Sequence, residues 1–210
     1  MNVLIIADSP DCDIKREYQR GIDITICLDG AIAKIPEGTH IDYIIGDFDT
    51  IERNNIDTSI LDAKHIKITE QDSTDLEKGI EYALSLGASS ICIANAFGGR
   101  SDHSLYNISM LKKYSSKVET IYMTNGLEHI YYLCNTDLSL LGTIGGSVAI
   151  IPFPSACISS QGLKYDMQDF AIKIGENASV SNSLRKEKAL ISISGDALVI
   201  CDQVIKLEKK

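Results

Sequence analysis

The feature that most constrains this chain is a series of short, unbroken apolar runs in its first 125 residues: NVLIIA, DITICL, IDYIIG, HIKIT, SICIANA and ETIYMT. Strands covered on both faces read as continuous apolar segments, whereas half-exposed strands alternate. Helix-like stretches separate the runs. The clearest is TDLEKGIEYALSLG, where Leu76, Ile80, Ala83 and Leu84 fall on one stripe. Thr74 and Glu77 predict a capping box at its start, and Gly87 predicts its stop.

After Gly126 the texture changes. HIYYLC, SVAIIPF, FAIKI, ALISISG and ALVICD are separated by Gly, Asn, Asp and Pro turns, with no convincing helix between them. The expected architecture is an α/β N-terminal domain with a mostly parallel, Rossmann-like sheet over residues 1–126. A small all-β sandwich is expected over residues 127–210. A chain of 210 residues with 44 % hydrophobic content can bury a core of this size.

Composition excludes several function classes. The net charge of −9 argues against a nucleic-acid partner, which needs a basic face to displace counterions. No apolar run is long enough to span a membrane, and MNVLIIAD lacks a basic leader, so neither a membrane partner nor an export signal is expected. The six cysteines, Cys12, Cys27, Cys92, Cys134, Cys157 and Cys201, form no C-x-x-C pair and read as buried reduced thiols of a cytoplasmic protein. The sequons at Asn107 and Asn177 then carry no meaning.

Ligands of open α/β sheets bind outside the carboxyl ends of the strands, so the residues that follow the apolar runs carry the chemistry. They are acidic and glycine-rich. Asp29 and Gly30 follow one run, Asp47 and Asp49 another, and Asp72 and Asp75 a third. Gly98, Gly99, Arg100, Asp102 and His103 follow a fourth. Taken singly, each has an ordinary structural reading as a turn residue, a helix cap or a packed helix residue. Taken together, converging carboxylates repel one another unless a cation compensates them. Hard oxygen ligands suit Mg²⁺, which binds a few carboxylates together with waters and substrate phosphates. Glycines ahead of Arg100 let the backbone approach a phosphate, and a guanidinium can clamp it through two donors.

Other phosphate chemistries fit less well. A strand followed by Asp-x-Asp resembles the nucleophile loop of haloacid-dehalogenase-type phosphatases, but here Thr50 follows Asp49 directly and Gly46 precedes the pair. There is no G-x-x-x-x-G-K-[ST] loop and no strand-linked G-x-G-x-x-G.

In this order, LDGAIAKI, IDYIIGDFDTI, EQDSTDLEKGIEYAL and FGGRSDHSLYNISML resemble the thiamine pyrophosphokinase family. GLKYDM and VSN extend the resemblance into the second half. The departures are small: Gly30-Ala31 stands where the family usually has Gly-Gly, and Thr50 where it usually has Ser.

The resemblance implies that ATP and thiamine are converted to AMP and thiamine diphosphate, with the thiamine hydroxyl attacking the β-phosphorus in line. It further implies Mg²⁺ held by Asp47, Asp49, Asp72 and Asp75, and catalysis by these with Arg100 and Asp102. ATP contacts are implied for Asp29, Gly30, Thr50, Gly98, Gly99, Arg100 and His103. Thiamine contacts are implied for Ser181 and Asn182, with Tyr165 beside them. A homodimer is implied, its thiamine site shared between subunits. Two other readings are a pyrophosphokinase acting on a hydroxymethyl-pterin and a non-catalytic nucleotide- or thiamine-binding module.

Overall fold

The computed structural model describes residues 1–9, 21–36, 38–59 and 61–202, with the backbone alone for 205–207. Its contacts divide the chain into two compact units, Met1–Gly126 and Leu127–Lys210.

The first unit is α/β. Its strands are β1 (Asn2–Ile6), β2 (Ile24–Leu28), β3 (Tyr43–Gly46), β4 (Lys64–Lys67), β5 (Ser90–Ala94) and β6 (Thr120–Thr124). They lie in the order β6-β5-β1-β2-β3-β4, and every neighbouring pair is parallel. β1, β2, β3 and β5 are buried beyond their first residues, as Val3 to Ile6 and Ile91 to Ala94 illustrate, which is why they read as unbroken apolar runs. β4 is the exception: it closes the sheet on one side and alternates weakly, with Ile66 its least exposed residue. The chain adds β2, β3 and β4 on one side of β1, then crosses back to lay β5 and β6 on the other. The direction of winding therefore reverses beside β1, which is where open α/β sheets form their ligand crevice.

Among the described residues three α-helices accompany these strands: α1 (Asp49–Asn54), α2 (Asp75–Ser85) and α3 (Ser101–Tyr114). At the start of α2, Thr74 accepts from the Glu77 amide at 3.3 Å. The predicted capping box is only half made, because the Glu77 side chain turns to α3 and meets Lys113 and Tyr106. Gly87 ends the helix with φ of 86°. α1 and a 3-10 helix over Asp29–Lys34 have no counterpart in the sequence reading, being too short to establish a 3.6-residue period.

The second unit is all-β: β7 (His129–Leu141), β8 (Ser147–Gln161), β9 (Phe170–Lys173), β10 (Ser179–Ser183), β11 (Lys188–Cys201) and β12 (Ile205–Leu207). The order β10-β8-β11-β7 is antiparallel throughout, with β9 added on β8 and β12 on β7. Two sequence expectations change here. ALISISG and ALVICD are one strand, β11, interrupted by a bulge at Gly195 where its register shifts against both neighbours. A Cβ on Gly195 would lie 2.6 Å from the Ser155 carbonyl, and its amide donates to Asn135 Oδ1 at 2.8 Å. These breaker residues bend long strands instead of ending short ones, so β7, β8 and β11 of the expected β domain are longer than the apolar runs suggest. The other change is VSN, which belongs to none of the apolar runs but lies on β10.

Cys27, Cys92 and Cys201 are buried, whereas Cys134 is exposed and Cys157 half-buried, so the reading of all six as buried thiols is too broad. Cys12 lies outside the described residues. No helix among the described residues is long and apolar enough to cross a membrane.

Candidate active site

The carboxyl ends of β2 and β3 are pressed together by a glycine. A Cβ on Gly46 would stand 2.5 Å from the Asp29 Cβ, so only glycine lets the Asp29 side chain lie against the end of β3. Asp29 is buried, and its two oxygens accept from the amides of Thr50 at 3.1 Å and Ile51 at 3.2 Å. The backbone turns sharply ahead of them, with Phe48 at φ 69°. That turn carries Asp47 and Asp49 back towards Asp29. One oxygen from each of the three carboxylates lies within 4.8 Å of the others.

The electrostatics follow from the burial. Desolvation pushes the Asp29 carboxyl above its ordinary value, the Thr50 and Ile51 amides oppose this, and the charges of Asp49 and Asp47 push it up again. Asp47 is held below the ordinary range, chiefly by the Asp49 amide and then by the Gln71 side chain and the Lys78 ammonium. Asp49 accepts from the Thr50 hydroxyl at 3.2 Å and pairs with Arg53 at 2.7 Å. Three oxygen ligands this close, one of them buried, form a donor set that fits a small hard cation such as Mg²⁺. Such an ion would remove the repulsion that raises Asp29.

Asp72 and Asp75 are not brought into this group among the described residues. Asp72 is exposed, its amide donating to Glu70 Oε1. Asp75 opens α2 and pairs with Lys78 at 3.3 Å. Lys78 is missed by the sequence reading, although its i, i+3 spacing from Asp75 puts both on one helix face. Its side chain is 6 % exposed, so it is a buried cation among acids. Gln71 is missed too, and nothing in the sequence singles it out. Its amide reaches Asp47 and so ties the loop before α2 to the end of β3.

On the other side of β1, Gly98 and Gly99 have φ of 102° and 66°, a left-handed pair that other residues rarely adopt. The Gly98 amide is bonded to Ser104 Oγ at 3.0 Å. Arg100 forms a two-donor fork on Asp102, Nε to Oδ1 at 3.1 Å and a terminal nitrogen to Oδ2 at 2.6 Å. The guanidinium and the His103 amide hold the Asp102 carboxyl down at about 2. Arg100, Asp102 and His103 are all exposed.

In the second unit, Ser181 is exposed at φ 57° on β10, and Tyr165 is 61 % exposed. Asn182 is buried at 3 % and spends its amide on the Tyr165 backbone. Its Oδ1 accepts from the Tyr165 amide at 3.0 Å, and its Nδ2 donates to the Tyr165 carbonyl at 2.9 Å. Asn182 therefore fixes the turn that displays Tyr165.

The two halves of the chain match two family models. Residues 16–123 match the family model described as thiamin pyrophosphokinase, catalytic domain. Residues 136–200 match that described as thiamin pyrophosphokinase, vitamin B1 binding domain. The chain belongs to the thiamin pyrophosphokinase family. It is accordingly an enzyme of the thiamine diphosphokinase class. Thiamin pyrophosphokinase 1 of Caenorhabditis elegans is 27 % identical over 190 residues, 82 % of this chain and 76 % of that protein. Thiamine pyrophosphokinase 1 of Arabidopsis thaliana is 30 % identical over 175 residues, 75 % of this chain and 63 % of that longer protein. Among solved structures, thiamine pyrophosphokinase from Bacillus subtilis superposes with a TM-score of 0.80 at 24 % identity, covering 96 % of this chain and 99 % of its own. That from Candida albicans also gives 0.80, at 18 % identity over 97 % and 90 %. Asp29, Asp47, Asp49, Asp72, Asp75, Lys78, Arg100 and Asp102 fall within the family's catalytic match, and Tyr165, Ser181 and Asn182 within its vitamin B1 match.

Proposed function

We propose that the chain binds Mg·ATP at the carboxyl edge of its Rossmann-like sheet and transfers the pyrophosphoryl group to the hydroxyl of thiamine. The bond from that oxygen to the β-phosphorus forms as the bond from the β-phosphorus to the α,β-bridging oxygen breaks, AMP leaves with the electron pair, and the hydroxyl proton is released to solvent. The observation that carries the reading is the convergence of Asp29, Asp47 and Asp49 oxygens within 4.8 Å at the strand ends.

Asp47 and Asp49 hold the metal, with Asp72 and Asp75 facing it from the α2 side once phosphates arrive. When bound there, Mg²⁺ would supply positive charge against the negative charge that builds on the phosphates. Asp29 fixes the turn that presents Asp47 and Asp49, since its oxygens accept the Thr50 and Ile51 amides. Asp102 occupies two of the five N–H donors of Arg100, leaving the others for the transferred group. Gly98, Gly99 and His103 line the phosphates, and Gly30 and Thr50 the nucleotide side. Lys78 offsets the acids from within.

Thiamine is received by the second unit through Ser181 and Tyr165, with Asn182 bracing Tyr165. In this reading the protein is a cytoplasmic homodimer, and each thiamine site is completed by the neighbouring subunit. The deciding assay measures AMP release from Mg·ATP with thiamine, with a hydroxymethyl-pterin and with neither. Thiamine-dependent AMP is expected. AMP formed only with the pterin would replace the acceptor, and no AMP with either would leave a binding module.

A further inference from the structure

β1 ends where the winding of the sheet reverses, and the first charged residue beyond it, Asp8, has no part in the transfer described above. A Cβ on Gly30 would stand 2.8 Å from Asp8 Oδ2 and 3.0 Å from the Asp8 Cβ, so glycine is needed beneath this carboxylate. Lys34, the last residue of the 3-10 helix, pairs with Asp8 Oδ1 and lies 3.5 Å from the Ser9 carbonyl. The next residue is tied to the glycine loop: the Ser9 amide donates to the Asn95 carbonyl at 2.9 Å, and Ser9 Oγ to the Phe97 carbonyl at 2.7 Å. Asp8 thus adjoins the acidic centre through Gly30 and the approach to Gly98 and Gly99 through Ser9.

The buried Cys27 thiol is pushed up by desolvation, and the charges of both Asp29 and Asp8 add to it, so both acids lie on the side of the sheet end that this thiol faces. A surface ion pair by itself contributes little. Here, however, Lys34 holds the Asp8 carboxylate in one position above Gly30. Both side chains remain two-fifths exposed. An ionised carboxylate only accepts hydrogen bonds, so it repels phosphate and matches a vicinal pair of hydroxyls. A ligand with phosphates at the acidic centre and a vicinal diol next to them is a ribonucleotide.

We propose that Asp8, braced by Lys34 over Gly30, accepts the 2′- and 3′-hydroxyls of the ribose of the bound nucleotide. This rests on the reading that ATP is the donor. Asp8 precedes the segment matched to the family's catalytic domain, residues 16–123.

The test compares ATP with 2′,3′-dideoxy-ATP in the wild type, Asp8→Asn and Asp8→Ala, reading thiamine-dependent AMP formation and, separately, equilibrium binding of AMP and 2′,3′-dideoxy-AMP. The wild type should favour the ribonucleotides by about 10- to 100-fold, the range of hydrogen bonds to a charged group. In both variants that preference should collapse through a higher KM and Kd for the ribonucleotide, while kcat, the dideoxy constants and the KM for thiamine hold. Equal losses for both nucleotides, a wild type that does not distinguish them, or a shift in the thiamine KM instead would each overturn the assignment. If the wild type forms no AMP, the reading of the activity fails, and the binding arm still decides the role of Asp8.

Discussion

Asp29, Asp47 and Asp49 are held by backbone: a glycine contact at Gly46, two amides on Asp29 and one on Asp47 at 3.1 Å. Asp75, Arg100 and Asp102 stand at helix starts and satisfy one another or Lys78 side chain to side chain. The first arc cannot relax without moving β2 against β3. The second is made largely of exposed pairs, which are weakly held and can change partners when a ligand arrives. The contrast implies that the cation site is preformed, whereas the clamp on the transferring group is assembled from charges parked on their neighbours.

Asp47→Asn tests the preformed arc and should have the largest effect. Removing one charge from the cluster is expected to lower kcat by on the order of 10³-fold, while the melting temperature holds or rises because repulsion on Asp29 is relieved. A thermal melt beside the AMP assay checks both halves. An unfolded variant would mean that Asp47 is part of the scaffold. Arg100→Lys tests the parked arc. It keeps the charge and loses the two-donor fork, so kcat should fall by on the order of 10²-fold with little change in melting temperature. A loss of stability as large as that of a core substitution would erase the distinction between the arcs.

The difference between the arcs also marks how far the sequence could be read. The parallel sheet and the acids at its strand ends were legible, because buried strands write unbroken apolar runs and ligands gather at their carboxyl ends. That Asp29 joins Asp47 and Asp49 while Asp72 and Asp75 stand apart was not legible. It depends on a left-handed Phe48 and on Gly46 meeting Asp29, and neither leaves a periodic signal. Asn182 was read as a residue facing the substrate, yet its amide is consumed by the Tyr165 backbone. Sequence reports the residue type but not which of its hydrogen bonds are already taken. Long β11 was read as two strands because the bulge at Gly195 uses the residues that usually make turns.

The smallest effect concerns the frame behind the parked arc. Glu77 on α2 is 12 % exposed and joins α3 through a close ion pair with Lys113, the Tyr106 hydroxyl at 3.1 Å and the Tyr114 hydroxyl at 3.4 Å. The Lys113 hydrogen bond, with smaller help from Tyr106 and Tyr114, holds the Glu77 carboxyl below its ordinary value. A carboxyl depressed by folding contributes stability that is present above its unfolded value, about 4, and is lost as the pH falls through the lower folded one. Glu77→Gln should therefore melt below the wild type at neutral pH, by about 1 kcal/mol, since Lys113 is nearly half exposed and its contribution is screened. Tyr114 keeps Glu81 at 2.8 Å, so the substitution leaves no buried hydroxyl stranded. The gap between the two melting temperatures should close on acidification, because the wild type loses the charge that the variant never had. kcat should change only slightly, since Glu77 fixes the helices and not the charges at their ends. A gap that stays constant with pH would mean that Glu77 acts by packing alone, and a large fall in kcat would mean that the frame and the parked arc are one device.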